Sequence, residues 1–393
     1  MLKEVYIIAT RRTPFGSFGG GLMSMSATEL GARAVRACLD SIMIDPYQIE
    51  EVIMGNVYSA NLGQAPARQV ALKAGLPHHT SCTTINKVCA SGMKALMLGA
   101  QSIALGMRDL MIVGGMESMS NVPFYLSKVR WGNKYGNFEG IDGLQRDGLQ
   151  DAYDQNAMGV SADATAARYQ IGREEQDEYT IRSYKLAASA WDNNLFTHEV
   201  SPVSIESGQG KTTIINKDEE FVKVNFDKIP SLKPVFSKDG TVTAANASTI
   251  NDGAVALLIA SGSKVKELGL SPIARVVAYA DAEQDPKWFT TTPTIAAPLA
   301  LKRAGLGLYD MDYFEVNEAF AVVALAFAKL LDINIEKMNV RGGAVALGHP
   351  LGASGARIIG SLANILKDQN GRYGLAAICN GGGGASAVIL ERC

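Results

Sequence analysis

The sequence has little of what marks extracellular or nucleic-acid-binding proteins. Only 5 of its 393 residues are cysteines, and their spacings match neither a disulfide framework nor a zinc knuckle. Charged residues make up 19% of the chain and the net charge is -2, so no basic field gathers nucleic acid or anionic lipid. We therefore expect free thiols, a reducing compartment and no nucleic-acid partner.

Long apolar runs are also missing. The longest runs, such as the one around residues 255–260, are much shorter than the roughly 20 residues that span a bilayer. The chain enters a predicted strand at residues 5–8 without a signal-peptide core or a long presequence rich in Arg and Ser. We expect no membrane partner and a cytoplasmic location. The alternative is the mitochondrial matrix, with a presequence that this sequence does not include.

The chain does contain enough hydrophobic residues, 47%, for a large core. Short apolar segments alternate with segments of helical period over residues 1–120 and again from about 270 to the end, which is typical of α/β proteins. The stretch between them is richer in aromatic, polar and charged residues. The sequence therefore predicts an N-terminal half of residues 1–120 plus 248–271, an inserted subdomain of residues 121–247, and a C-terminal half of residues 272–393.

A weak internal repeat relates the two predicted halves. Apolar segments that end in Asn, at 49–56 and 312–317, are each followed by a Ser-Gly pair that leads into a helix rich in small residues. Each helix is followed by a strand that ends in glycines, at 111–115 and 377–382. The shared order indicates two similar α/β halves, whose matching strand ends face one ligand cleft.

Cys89 and His349 occupy corresponding places in this repeat, each just before a predicted helix. Free amides and the dipole at a helix start favour thiolate, so we expect Cys89 to have a pKa below that of an ordinary cysteine. A Cys-His pair across the pseudo-twofold would supply a nucleophile and its base. The alternatives are a small buried core thiol and a structural histidine.

Two further residues follow predicted strands. Cys379 precedes the glycines at 381–384, whose backbone N–H groups could hold an anion as an oxyanion hole does. The alternative for this segment is a glycine-rich packing turn. Asn317, in the other half, could orient a water or donate to an oxyanion.

Several long motifs, taken together, resemble the thiolases, and within that family the acetoacetyl-CoA thiolases. They are NKVCASGMKA, GGMESMSNVP, GTVTAANASTINDGA, EVNEAFAV, GGAVALGHPLGASGAR and CNGGGGAS. The resemblance extends over essentially the whole chain and implies the thiolase-like α/β fold, with layers in the order α-β-α-β-α. It also implies an acetyl-CoA C-acetyltransferase activity: two acetyl-CoA condense reversibly to acetoacetyl-CoA and CoA, by a ping-pong mechanism through an acetyl-cysteine.

The resemblance also implies a role for each candidate residue. Cys89 would carry the acetyl group, His349 would be its base, and Cys379 would move the α-proton of the second acetyl-CoA. Asn317, through a water, and His349 would form an oxyanion hole for the enolate. The backbone N–H groups of Cys89 and Gly381 would form a second one, since negative charge develops on different oxygens in the two half-reactions.

Further positions match the family's coenzyme A contacts, mainly in the predicted inserted subdomain. They are Leu149, Met158, Tyr184, Lys223, Val224, Asn225, Lys228 and Ser248. The resemblance further implies a potassium ion held by the Tyr184 hydroxyl and by backbone carbonyls of Ala244, Ala245, Ala247 and Val345. Neutral oxygens without a nearby carboxylate suit such a weakly hydrated monovalent cation. The resemblance also implies a homotetramer, with residues 122–140 taking part in assembly, and we expect no tightly bound cofactor.

The chain departs from the family pattern at two positions, and three alternatives stay open. Ala157 stands where biosynthetic members often have His, and Arg341 where Asn is frequent. A β-ketoacyl synthase would be expected to use a Cys-His-His or Cys-His-Asn set, without a second cysteine such as Cys379. A 3-ketoacyl-CoA thiolase of broader chain length has the same catalytic residues. A non-catalytic thiolase-like lipid carrier should have lost one of Cys89, His349 or Cys379.

Overall fold

A computed structural model describes residues 2–206, 210 and 212–393. The strands are β1 (Val5–Arg12), β2 (Gly16–Ser17), β3 (Glu51–Gly55), β4 (Ser81–Ile85), β5 (Leu110–Ser118), β6 (Phe124–Tyr125), β7 (Ile141–Asp142), β8 (Val203–Glu206), β9 (Thr212–Ile215), β10 (Asn251–Ser261), β11 (Ala274–Glu283), β12 (Tyr313–Val316), β13 (Tyr373–Asn380) and β14 (Gly384–Arg392).

The α-helices are α1 (Ala27–Asp40), α2 (Pro66–Lys73), α3 (Ser91–Ala104), α4 (Met158–Tyr169), α5 (Arg173–Asp192), α6 (Gly262–Glu267), α7 (Pro293–Ala304), α8 (Ala321–Leu331), α9 (Ala344–Leu347) and α10 (Leu351–Asp368). Short 3₁₀ turns lie at Pro46–Gln48, Met119–Asn121, Val129–Trp131, Phe226–Ser231, Pro286–Thr291, Leu308–Asp310 and Ile335–Lys337, and a π-helical turn at Gln145–Leu149.

The two halves of the central sheet share one strand order. It is β4-β3-β5-β10-β1 in the N-terminal half and β12-β13-β14-β11 in the C-terminal half, where a parallel bridge between Phe314 and Met338 stands in place of the edge strand. The first strands of each half pair in parallel and the last ones antiparallel. The internal repeat predicted from the sequence is therefore present in the fold.

A short antiparallel ladder joins the halves edge to edge. Tyr6 pairs with Arg275 and Ile7 with Ala274, which makes the two half-sheets continuous through β1 and β11. Helices α1 and α2 cover the outer face of the N-terminal half, and α7 and α8 cover that of the C-terminal half. Helices α3 and α10 pack against each other between the halves. The predicted α-β-α-β-α layer order is confirmed.

The central helices approach so closely that their backbones touch. A Cβ on Gly92 would lie 2.9 Å from the carbonyl oxygen of Gly352, and one on Gly355 would lie 2.5 Å from the amide nitrogen of Met93. Glycine is needed at both positions because any side chain would push the helices apart. This crossing brings together the turns that precede α3 and α10, and those turns carry Cys89 and His349.

The inserted segment does not form one separate core. Helices α4 and α5 contribute Ala162, Ala166 and Tyr179 to the core of the C-terminal half, whereas Val203 of β8 packs into the core of the N-terminal half. A further cluster around Phe196 packs residues of the segment against Val345, Ala346 and Leu347 of α9. The segment therefore bridges the two halves, and β10 then completes the N-terminal sheet. None of the helices among the described residues is both long and apolar enough to span a membrane.

Candidate active site

The four candidate catalytic residues lie at ends of strands and helices that meet at one cleft. Cys89 and His349, two residues ahead of α3 and α10 respectively, line a cavity of about 270 Å³ together with Gly381. The rest of the wall is mainly apolar; its larger side chains are Met119, Leu149, Met158, Phe236, Phe289, Phe320 and Leu351. Asn317, after β12, and Cys379, in β13, are fully buried and do not line this cavity.

The turn before α3 holds Cys89 in a strained setting. Val88 has φ 47°, a left-handed conformation that is rare for a β-branched residue. Its N–H donates to Asn86 Oδ1 at 2.9 Å, and Ser91 Oγ donates to its carbonyl oxygen at 2.6 Å. Ser91 Oγ also accepts the N–H of Lys87 at 2.8 Å. Neighbours in the sequence therefore stabilise a backbone that valine does not favour.

The predicted lowering of the Cys89 pKa is wrong. Helix α3 does begin two residues after the cysteine, but burial raises the pKa of Cys89 to about 12, and the charge of Glu117 adds to the increase. The N–H groups of Gly381 and of Cys89 itself act in the opposite direction. Loss of water outweighs these donors, because a thiolate needs solvation that the apolar cavity does not supply. Cys89 is therefore a thiol at neutral pH and needs a base.

His349 is held as a neutral imidazole with one nitrogen free. Its backbone N–H donates to Asn251 Oδ1 at 2.8 Å, and its Nδ1 lies 2.6 Å from Ser354 Oγ. Its Nε2 is buried and has no hydrogen-bond partner within the described part of the chain. Burial, followed by the charge of Arg357, lowers the pKa of His349 to about 3. The free nitrogen is therefore an available proton acceptor at the cavity wall.

Two buried carboxylates that the sequence analysis missed hold the loop of His349 from both sides. Glu117, at the end of β5, is fully buried and accepts the N–H of Gly352 at 2.8 Å. It also accepts the N–H groups of Val57 and Tyr58, both at 3.0 Å, and Asn56 Nδ2 at 2.7 Å. Burial raises the pKa of Glu117 to about 7, while these donors oppose the increase. Glu117 thus ties the turn after β3 to the start of α10.

Glu318 does the same on the other side of the loop. Its carboxylate accepts Tyr179 Oη at 2.7 Å and Ser183 Oγ at 2.8 Å, both from α5. It also accepts Asn339 Nδ2 at 2.9 Å and the N–H of Val345 at 3.1 Å. Each of these residues is a glutamate in a mostly apolar segment of the sequence. Such a carboxylate needs hydrogen-bond donors when the segment is buried, and this pattern could have identified both residues.

Asn317 and Cys379 lie at the ends of neighbouring parallel strands. The N–H of Asn317 donates to the carbonyl of Ala377 at 2.9 Å, but neither polar atom of its side chain has a protein partner among the described residues. Buried amides are normally paired, so this one is suited to hold a water or a substrate atom. Burial raises the pKa of Cys379 far above its ordinary value, and the nearby Cys89 raises it further.

The glycines after Cys379 form the turn between β13 and β14. Gly382 and Gly383 have φ of 85° and 91°, and a side chain on Gly383 would clash with the carbonyl of Gln284. Glycine is therefore required here by the backbone. The turn directs the N–H of Gly381 at the sulfur of Cys89. The two donors predicted for an oxyanion hole, Cys89 N–H and Gly381 N–H, thus act at the same sulfur.

The predicted coenzyme A contacts fall into two groups. Leu149, Met158 and Ser248 line the cavity, and Ser248 Oγ donates to the carbonyl of Ala319 at 2.9 Å. The other five lie outside it, on α5 and on the segment 223–231; they are Tyr184, Lys223, Val224, Asn225 and Lys228. Within this group, Lys223 Nζ contacts Ser17 Oγ and lies 3.9 Å from Glu220.

The two departures from the family pattern lie in different settings. Ala157 directly precedes α4 and stands next to Met158 of the cavity wall. Arg341 is buried, pairs with Asp368 at 2.6 Å and donates to the carbonyl of Leu195. Arg341 is therefore a structural ion-pair residue and is not part of the cavity lining.

The residues proposed to hold potassium are suitable donors, but one premise is wrong. Tyr184 and Val345 pack in one cluster. Within the described chain, the carbonyl oxygens of Ala244, Ala245 and Ala247 accept no hydrogen bond. The expected absence of carboxylates is contradicted, because Glu318 accepts the N–H of Val345. Burial raises the pKa of Tyr184, and the charges of Glu220 and Glu318 raise it further. Carbonyl oxygens that accept no hydrogen bond and a buried phenol are still the kinds of donor that suit a monovalent cation.

Comparison with known proteins identifies the family. The model for the thiolase N-terminal domain matches residues 5–263, and that for the thiolase C-terminal domain matches residues 270–392. The chain belongs to the thiolase family. This assignment excludes the β-ketoacyl synthase alternative.

Individual relatives match over their full length. The acetyl-CoA acetyltransferase of Schizosaccharomyces pombe is 53% identical over 390 residues, covering 99% of each chain. Acetyl-CoA acetyltransferase 2 of Arabidopsis thaliana is 52% identical over 391 residues, covering 99% of this chain and 97% of the relative.

Solved structures agree in fold. The Acat5 thiolase from Ascaris suum, in complex with coenzyme A, has a TM-score of 0.94 at 45% identity and covers 100% of both chains. Human mitochondrial 3-ketoacyl-CoA thiolase has a TM-score of 0.96 at 40% identity, covering 100% of this chain and 99% of that one. The predicted thiolase-like fold is thereby confirmed.

Proposed function

We propose that this protein is an acetyl-CoA C-acetyltransferase, which condenses two acetyl-CoA to acetoacetyl-CoA and CoA and catalyses the reverse thiolysis. The observation that carries the proposal is the apolar cavity in which the Cys89 thiol, two backbone N–H donors and the free nitrogen of His349 come together. Full-length relatives named acetyl-CoA acetyltransferase, at 52% and 53% identity, support this substrate choice.

In the first half-reaction, His349 Nε2 takes the Cys89 proton as the sulfur attacks the thioester carbonyl of acetyl-CoA. The N–H groups of Cys89 and Gly381 stabilise the oxyanion of the tetrahedral intermediate. Its collapse breaks the bond to the CoA sulfur, and the departing CoA thiolate takes the proton of Cys379. The products are acetyl-Cys89, a protonated His349 and a Cys379 thiolate. Burial disfavours each charge, and the attraction between the two opposite charges offsets part of that cost.

In the second half-reaction, the Cys379 thiolate removes an α-proton from the second acetyl-CoA. The enolate oxygen accepts from Nε2–H of His349 and from a water held by Asn317. The enolate carbon then attacks the acetyl carbonyl, and the C–S bond to Cys89 breaks. Cys89 recovers its proton from His349, so that both thiols and the neutral imidazole are restored.

Mass spectrometry tests the covalent step. Incubation with acetyl-CoA should add one acetyl group to Cys89, and Cys89→Ala should remove both the label and the turnover. Replacement of Cys379 by Ser or Gly should suppress condensation far more than acetylation, because a CoA thiolate leaves readily whereas the α-proton needs a base. Label on another residue, or equal loss of both half-reactions, would contradict the assignment.

A 3-ketoacyl-CoA thiolase of broader chain length is the second candidate. It is favoured by the structural similarity to the human mitochondrial 3-ketoacyl-CoA thiolase, although at 40% identity this relative is less similar than the acetyl-CoA acetyltransferases. Thiolysis rates of acetoacetyl-CoA and of a long-chain 3-ketoacyl-CoA separate the two. Faster turnover of the long chain would favour this alternative. A non-catalytic lipid carrier would cleave neither substrate.

We also propose potassium activation. Tyr184 and the carbonyls of Ala244, Ala245, Ala247 and Val345 would hold the ion, which would tie the loop of Ser248 to the loop of His349. Replacing potassium chloride by sodium chloride at equal ionic strength should lower both CoA affinity and rate in the parent protein, with a smaller change in Tyr184→Phe. If neither activity nor melting temperature of the parent changes, the site does not exist.

We also propose that the protein is a homotetramer. Exposed aromatic residues cluster in the segment 122–140; they are Phe124, Trp131, Tyr135 and Phe138. This patch supports a homotetramer, and light scattering at micromolar concentration should show four chains, whereas a monomer would contradict it.

Free thiols at all five cysteines are consistent with a reducing compartment. We propose the cytoplasm, and fractionation of cells measures it.

A further inference from the structure

Ser354, on the first turn of α10, has a hydrogen-bond arrangement that favours one proton assignment. Its Oγ lies 2.9 Å from the carbonyl oxygen of Pro350 and 2.6 Å from Nδ1 of His349. A hydroxyl has a single hydrogen, and a carbonyl oxygen can only accept. If the hydrogen pointed at His349, the two oxygens would face each other without a proton between them and would repel. The hydroxyl therefore donates to Pro350 and accepts from Nδ1–H.

We propose that Ser354 is a positioning residue that keeps the proton of neutral His349 on Nδ1, so that Nε2 presents a lone pair to the cavity. Nε2 has no partner among the described residues, and His349 lines the cavity. Ser354 itself is 1% exposed and is not part of the cavity lining. It therefore acts on the reaction through His349 and not by contact with substrate.

This inference rests on the proposed function and deepens it, because it explains how one side chain serves both half-reactions. With Nδ1–H donating to Ser354, the proton from Cys89 enters at Nε2 alone. The same Nε2–H then faces the enolate oxygen, and it returns to Cys89 when the C–S bond breaks. The bond to Ser354 is unchanged throughout. In the other tautomer, Nε2 would already carry a proton and could not accept one from Cys89.

Nitrogen-15 NMR measures the tautomer directly, and the chain has only 4 histidines, which keeps the spectrum simple. A protonated imidazole nitrogen resonates well upfield of an unprotonated one. In the wild-type protein at neutral pH, His349 should show a protonated Nδ1 and an unprotonated Nε2. Ser354→Ala should shift both resonances, because Nδ1–H loses its acceptor and the two tautomers exchange.

A matched control is available on the same helix. Ser361 is also 1% exposed, and its hydroxyl donates to Glu199 Oε2 at 3.0 Å. Ser361→Ala removes a buried hydroxyl of the same kind but leaves the imidazole bond intact. It should leave the His349 resonances unchanged. A shift as large as that in Ser354→Ala would show that any loss of packing on α10 disturbs the ring, and would overturn the inference.

Kinetics supply the second measurement. Ser354→Ala should lower the rate of Cys89 acetylation by about 100-fold, the lower end of what a positioned base contributes. KM for acetyl-CoA should change little, because Ser354 does not line the cavity. Ser354→Thr keeps a hydroxyl that can donate to the i−4 carbonyl, as serine does here, and should restore both tautomer and rate.

The possible outcomes are distinguishable. An unprotonated Nδ1 in the wild-type protein overturns the inference, as does a Ser354→Ala variant with unchanged tautomer and rate. If Ser354→Ala does not fold, the wild-type spectrum and Ser354→Thr still decide. A wild-type protein with the expected tautomer that forms no acetyl-Cys89 would contradict the proposed function but not the tautomer.

Discussion

The turn that carries Cys89 and the turn that carries His349 are built alike and supported differently. Each candidate catalytic residue stands two positions before a central helix, and each follows a residue with positive φ. Ahead of Cys89 this residue is Val88, at φ 47°. Ahead of His349 it is Gly348, at φ 105°.

The difference between the turns is in their stabilising contacts. The Cys89 turn is strained, but hydrogen bonds within residues 86–91 stabilise it. The His349 loop has a relaxed glycine and depends on distant partners, namely Glu117, Asn251 and Glu318. Cys89 is thus positioned by local sequence, whereas His349 is positioned by three separate parts of the chain.

The largest expected effect is on catalysis, where the two turns should act as one unit. Cys89→Ala and His349→Ala should each lower turnover by about 10⁴-fold or more, because the thiol does not ionise without its base. The double variant should lose little more than either single one. Steady-state thiolysis of acetoacetyl-CoA measures this. A double loss equal to the product of the single losses would show that the two residues act independently.

The next effect comes from exchanging the residues with positive φ. Gly348 has ψ 163°, a region open only to glycine, and a Cβ there would lie 2.6 Å from Asn251 Cγ. Gly348→Ala should therefore destabilise the fold by about 3 kcal/mol. Val88→Gly should change stability by less than about 1 kcal/mol, since released strain offsets the added chain entropy, yet it should slow acetylation of Cys89.

Urea denaturation and the acetylation rate measure these two effects. Gly269→Ala is the control, because Gly269 has φ 62° but no neighbouring atom within 4 Å of the position that a Cβ would take. It separates the cost of the backbone conformation from that of the clash. If Val88→Gly acetylates as fast as the parent, the strain at Val88 has no part in positioning the cysteine.

A smaller effect is expected from the two buried carboxylates. In Glu117→Gln and Glu318→Gln, an amide NH2 group replaces one carboxylate oxygen and faces hydrogen-bond donors. Each donor left unpaired should lower stability by about 1–3 kcal/mol. Both variants should also lower turnover, because the His349 loop loses one of its supports. Glu267→Gln serves as control, since that side chain is 60% exposed. Unchanged melting temperatures in both buried variants would contradict the claim that the loop depends on them.

The smallest effect is a pH dependence of stability. The pKa of His349 is lowered to about 3 in the folded state, while in the unfolded chain it is about 6.5. Burying neutral His349 therefore costs no stability above pH 6.5. As pH falls toward 3, the unfolded chain binds a proton that the folded protein does not, and the free energy of unfolding falls, by about 2 kcal/mol at pH 5. Urea unfolding between pH 7 and pH 5 should show a shallower decline in His349→Gln than in the parent. His78→Gln, at an exposed site, should decline as the parent does.

The sequence predicted much of the fold and site because those features are encoded in short segments. The repeated order of strand, Ser-Gly pair and glycine-ended strand is visible without a structure. So are Cys89 and His349 before helices, and the glycines after Cys379. Glu117 and Glu318 escaped prediction because their partners lie up to 235 residues away for Glu117 and 139 for Glu318.

The amino-acid sequence by itself determined the family and the two-half architecture, and it predicted the four candidate catalytic side chains, since each depends on residue type and local order. Only the tertiary structure decided their protonation. Helix-start arguments favoured a Cys89 thiolate, but the fold buries Cys89 and raises its pKa to about 12, while it lowers that of His349 to about 3. Desolvation depends on all neighbours in space, and no local pattern records how much water the folded chain excludes.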